Sequence, residues 1–142
     1  MTEPTTAAAA TAHEPAIHPV GALAIDAACV VAFVALGRGS HDEGGAIGGT
    51  LTVAAPFLIG LAVAWVARST PLGGRLGTAW STQFGVVAWL TTLVVGMALW
   101  RTVFGRGTAI AFVIVATLFL ALFLVGWRAA ARWARSRRRV PS

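Results

Sequence analysis

The sequence predicts an all-α, polytopic membrane protein whose four transmembrane helices form a bundle, and three observations carry that prediction. Residues 20–37, 47–67, 80–100 and 108–127 are apolar runs of 18, 21, 21 and 20 residues. At about 1.5 Å per helical residue each reaches roughly 27 to 32 Å, the thickness of a hydrocarbon core. Hydrophobic residues make up 57% of the chain, charged residues 11%, and mean hydropathy is +0.78, too little polar surface for a soluble domain of 142 residues. The last run passes directly into Arg128, Arg132, Arg135, Arg137, Arg138 and Arg139, as a membrane helix does on entering the cytoplasm.

Residues 1–19 read as a disordered, uncleaved tail. They lack the basic start of a secretory signal, carry Glu3 and Glu14, and are interrupted by Pro4, Pro15 and Pro19. His13 and His18 have no carboxylate or thiol at ligand spacing, so no metal is expected there.

The first span, 20–37, holds Asp26 and the lone Cys29. One cysteine excludes a disulfide framework and reads as a small packing residue. Asp26 lies six residues into the span, about 9 Å below its edge, on a face with Ala22, Cys29, Val30, Phe33 and Gly37. A carboxylate at that depth must be paired, protonated or hydrated. The expected partner is Arg128 at the end of span four, with Arg68 at the end of span two as the alternative. Beyond the span, Gly37 to Glu43 (GRGSHDE) form a charged loop. Its adjacent His41, Asp42 and Glu43 do not converge on one ion without a tight turn, and Arg101 and Arg106 are plausible partners for the two acids.

The second span, 47–67, carries small residues at helical spacing (Gly49, Thr52, Pro56, Gly60, Ala64), and the third, 80–100, carries Ser81, Gly85, Ala88, Thr92 and Gly96. Lipid supplies no hydrophobic reason for helices to associate, so close backbone approach must, and these two helices should face each other or a symmetry mate. Pro56 removes one backbone hydrogen bond and is expected to kink its helix. Trp65, Trp80 and Trp127 fall at one membrane interface and Trp100 at the other, whereas Trp89, in mid-span, must pack against protein or lipid. The fourth span, 108–127, is bulky throughout (Leu118, Phe119, Leu120, Leu122, Phe123, Leu124) and reads as lipid-facing.

With four spans both termini share one side. That side receives Arg68, Arg75 and the six arginines of the C-terminal tail, eight in all, against Arg38, Arg101 and Arg106 on the other. The positive-inside rule places both termini in the cytoplasm and the protein in the cytoplasmic membrane. In residues 129–142, Arg132, Arg135, Arg137, Arg138 and Arg139 are expected to anchor anionic lipid headgroups, with no nucleic acid as partner; an oligomer of this chain is the other expected partner. All 11 basic residues are arginine, a bias in keeping with a GC-rich bacterial genome.

Asp26, Phe33, Gly37 to His41, Pro56 with Phe57, Trp89, Arg101, Ala111 to Val113 and Gly126 to Arg128, in that order, resemble the bacterial and archaeal family catalogued as domain of unknown function 3054. The resemblance covers about residues 20–128. It implies a small four-helix integral membrane protein without established activity, in which Asp26, Arg38, His41, Pro56, Phe57, Trp89, Arg101 and Arg128 occupy signature positions.

No paired acidic motif, Ser/His/Asp set, cysteine nucleophile or metal-ligand spacing marks an enzyme, and no cofactor is expected. A membrane enzyme acting on a lipid or isoprenoid, with Asp26, Arg38, His41 or Arg101 in its site, is the weakest of three readings. The leading one is a structural or interaction bundle whose polar residues hold the helices in register. The alternative is a small ion or solute transporter, built from several subunits, in which Asp26 titrates or binds an ion.

Overall fold

The computed structural model describes residues 18–39, 47–103, 105 and 110–138. All regular structure among them is helical: α1 (Pro19–Gly39), α2 (Ile47–Ser69), the short α3 (Gly73–Leu76), α4 (Thr82–Thr102) and α5 (Ile110–Arg138). The four long helices each contain a stretch long and apolar enough to cross a membrane. Three agree with the expected spans to within two residues at either end. The fourth runs eleven residues past Trp127, so the basic segment begins as helix. Pro19, assigned above to the tail, opens α1 instead, because its fixed φ suits a first helical turn, where no intrahelical N–H is needed.

Between α2 and α4 the chain turns tightly. Gly73 sits against the Arg68 carbonyl so closely that no Cβ would fit, and Gly77 adopts φ 84°, which favours glycine. Ser81 then caps α4, its hydroxyl accepting from the Phe84 N–H at 3.1 Å.

α2 packs on α1 and α4, and α5 packs on α1 and α4, giving a square in which α2 against α4 is the most extensive interface. The small-residue stripes explain it. A Cβ on Gly60 would lie 2.9 Å from the Thr92 Cα, and one on Gly96 would lie 2.5 Å from the Phe57 ring. Gly85 departs from that expectation, since it faces the Leu124 carbonyl and the Arg128 side chain on α5. Thr92 is wholly buried, and its hydroxyl has no hydrogen-bond partner among the described residues.

α5 is not lipid-facing all round. Ala116, Leu120, Leu124 and Arg128, four apart, are fully buried, while Leu118 and Leu122 are more than 60% exposed. At one end of the bundle each long helix contributes one ring to an aromatic cluster: Phe33, Phe57, Trp100 and Phe112. Trp100 stacks on Phe112 with centroids 5.8 Å apart and is only 8% exposed, so it is a core residue rather than part of an interfacial belt. Trp89 packs against protein, donating to the Thr117 carbonyl on α5 at 3.0 Å. Pro56 is buried within α2, which continues through it from Ile47 to Ser69.

Candidate functional site: a buried ion pair at one end of the bundle

The start of α1, the end of α2, the start of α4 and the end of α5 meet at the pole opposite the aromatic cluster. Ala22, Asp26, Val30 and Phe33 form the buried side of α1, while Gly37 is exposed and Cys29 only partly covered. Asp26 and Arg128 are both completely buried. They pair end-on: Arg128 Nη1 donates to Asp26 Oδ1 at 2.7 Å and Nη2 to Oδ2 at 2.8 Å. Such a bidentate fork is the strongest arrangement of these two groups.

Two tryptophans complete it. Trp127 Nε1 donates to Oδ1 at 3.0 Å and Trp65 Nε1 to Oδ2 at 3.1 Å. A carboxylate offers about four acceptor positions, and here four donors point at them. The guanidinium is equally occupied, with Nε donating to the Ala79 carbonyl at 3.0 Å and Nη1 also to the Leu124 carbonyl at 2.7 Å. It lies 4.5 Å from the Trp127 ring centroid and 5.4 Å from that of Phe84. Gly85 makes room for its stem, since a Cβ there would come within 2.9 Å of Arg128 Cδ.

The local sequence accounts for this. Asp26 falls on the apolar stripe of α1, where it has no access to water. Arg128 falls on the i, i+4 stripe of α5, one turn beyond Leu124, and its side chain lies back over that turn. The Asp26–Arg128 pairing expected from the sequence is therefore present, and Arg68 is not the partner. Arg68 sits 5.6 Å from the Trp65 centroid and 5.5 Å from that of Phe84, with its buried Nε lacking a hydrogen-bond partner among the described residues. Trp65 and Trp127 are the participants that sequence reasoning missed. Their place near a membrane interface pointed to a belt, and only the need of a buried indole N–H for an acceptor hinted otherwise.

The other sequence candidates do not join this site. Arg101 is exposed at the end of α4, at the opposite pole from Asp26. Arg38 lies in the last turn of α1, at that same opposite end, and nothing is described of its side chain. His41, Asp42, Glu43, Arg106, His13 and Arg139 lie outside the described residues. Phe57 is a fully buried core ring touching Gly96. Arg132, Arg135 and Arg137 are exposed on the α5 extension, Arg137 lying 3.7 Å over the Trp133 ring, and Arg138 ends the helix. Among the described residues no group of three or more His, Cys, Asp or Glu could hold a metal ion.

Residues 23–131 match the family described as protein of unknown function DUF3054. The chain belongs to that family. The match covers α2 and α4 whole and most of α1 and α5, includes Asp26, Trp65, Trp127 and Arg128, and the family's description assigns no activity to them. No curated protein and no solved structure matches the chain.

Proposed function

We propose that this DUF3054 protein is a structural or interaction bundle of the cytoplasmic membrane, without enzymatic activity, in which the Asp26–Arg128 pair fixes the register of the four helices. The observation that carries this reading is the saturation of the carboxylate. Four donors from α2 and α5 occupy its oxygens, and no acceptor position is left for an ion or a water. A transport role for Asp26 would require opening the fork and exposing both charges in a medium where that is costly. The surroundings also suit a fixed role, because Phe84 and Trp127 close over the guanidinium and exclude solvent.

The eight arginines on the side of the two termini against three on the other support an orientation with both termini cytoplasmic. Reporter fusions active only in the cytoplasm should work at Ser142 and Gly74 and fail at Gly44; the reverse pattern refutes the orientation. The structural role is tested in proteoliposomes loaded with a pH-sensitive dye. Parent and Asp26→Asn vesicles should leak protons at the same rate as protein-free ones. A flux carried by the parent and lost in Asp26→Asn would replace this reading with transport.

A further inference from the structure

α5 continues for ten residues beyond Arg128, roughly 15 Å, and stands beside the N-terminal end of α4. Between them lies an open cleft of about 500 Å³. Its α5 wall carries Arg132 and Arg135, and its opposite wall Trp80 and Ser81, just before α4, with Thr82 and Gln83 of its first turn. The two arginines are differently engaged. Arg135 is steadied by the Trp80 ring, 5.9 Å away, and by an Nε bond to the Ala131 carbonyl at 3.2 Å, which leaves its terminal nitrogens open. Arg132 has no hydrogen bond, ion pair or ring partner among the described residues.

The opposite wall supplies further donors. The Ser81 carbonyl and hydroxyl accept from Gly85 N and Phe84 N, so the Thr82 and Gln83 N–H groups have no acceptor among the described residues. The Thr82 hydroxyl likewise has no hydrogen-bond partner among the described residues. Along the cleft stand two guanidinium groups, the Thr82 hydroxyl and the first turn of α4 with its unpaired Thr82 and Gln83 N–H groups, while the Ser81 and Ser136 hydroxyls donate to the Thr78 and Trp133 carbonyls.

Charge balance among the described residues favours an anion as the occupant. The chain has five acids, and Asp26 is the one among the described residues; it is consumed by Arg128. Arg132 and Arg135 therefore meet no carboxylate among the described residues. The position of the cleft bears on the source of such an anion. It opens one turn beyond the buried ion pair, where the apolar length of α5 ends, with Trp80 in its wall and Trp133, 58% exposed, on the same extension. That is the level at which indole rings and lipid headgroups meet.

We propose that this cleft binds the phosphate of an anionic phospholipid headgroup. Arg132 and Arg135 clasp its oxygens from α5 while the first turn of α4 donates from the other side, where the helix dipole also favours negative charge. The occupant bridges α4 and α5 outside the span, as the ion pair does within it.

The test uses the full chain in a non-ionic detergent, with thermal unfolding followed during titration by dioctanoyl phosphatidylglycerol, dioctanoyl phosphatidylcholine or inorganic phosphate. Phosphatidylglycerol should raise the midpoint saturably, well beyond the other two. At about 1 kcal/mol for each arginine near a surface, Arg132→Gln with Arg135→Gln should weaken the apparent affinity roughly thirty-fold. Arg75→Gln with Arg137→Gln removes the same charge from the same end of the bundle, at exposed residues that do not line the cleft, and should leave the affinity within about three-fold of the parent. Three results overturn the proposal: no response to phosphatidylglycerol, an equal loss in both double variants, which means diffuse attraction, or an equal response to inorganic phosphate, which means a soluble anion. Native mass spectrometry of the parent gives a reading independent of any variant, with retained phosphatidylglycerol expected and retention of phosphatidylcholine alone contrary to the proposal.

Discussion

Replacing Asp26 by Asn keeps the volume of the side chain and removes the charge that Arg128 faces. One carboxylate oxygen becomes an NH₂ group, which points at a guanidinium or indole N–H and accepts nothing, so at least one donor loses its partner. Two effects of different size compete to set the cost. Interhelical hydrogen bonds in membranes are worth about 0.6 kcal/mol each and at most about 1.7. Stranding one member of a buried ion pair costs about 3 to 5 kcal/mol. Both members are wholly buried, and the guanidinium would keep its bonds to the Ala79 and Leu124 carbonyls and to the remaining amide oxygen but would have no counter-charge, so the second effect governs. Asp26→Asn and Arg128→Gln should each lower stability by about 3 to 5 kcal/mol. The double variant, which leaves no charge behind, should fall short of the sum by about 2 to 3 kcal/mol. The assay is reversible unfolding of the detergent-solubilised protein by SDS, followed by helical circular dichroism. A loss under about 1 kcal/mol in Asp26→Asn, or strict additivity in the cycle, refutes the argument that the two charges hold each other.

Trp65→Phe and Trp127→Phe each withdraw one neutral donor from the carboxylate while keeping a ring, and should cost about 0.6 to 1.7 kcal/mol in the same assay, clearly less than Asp26→Asn. Gly60→Ala should cost about 1 to 3 kcal/mol, because its Cβ meets Thr92 backbone atoms at 2.9 Å, whereas Gly74→Ala, with nothing within 4 Å, should stay within about 0.5 kcal/mol of the parent. Replacing Arg137, Arg138 and Arg139 together by Gln should leave the orientation unchanged in reporter fusions, since the side of the termini still holds 8 − 3 = 5 arginines against 3. Mixed insertion in that variant would show that the distal arginines dominate.

Much of the molecule is written in its sequence, because the bilayer imposes simple terms. Length and hydropathy fix four spans, since a backbone in hydrocarbon must satisfy its own hydrogen bonds and the helix does so within one segment. The glycines of α2 and α4 announced their contact, because only small residues let two backbones approach as Gly60 and Thr92 do. Asp26 had to be paired, protonated or hydrated, and Arg128 directly after span four was the expected partner with Arg68 as the alternative; the structure pairs it with Arg128.

The tertiary structure alone decided which apolar surface faces protein and which faces lipid. Lipid tails are as apolar as leucine, so hydropathy does not distinguish Leu120 and Leu124, fully buried, from Leu118 and Leu122 on the same helix. For the same reason Trp65, Trp127 and Trp100 read as an interfacial belt until two of them were found donating to Asp26 and the third stacked in the core. Gly85 likewise serves the Arg128 stem rather than α2. These choices rest on the rotation of each helix about its axis, which follows from side-chain fit and from the position of a single carboxylate, and neither is a property of any one segment.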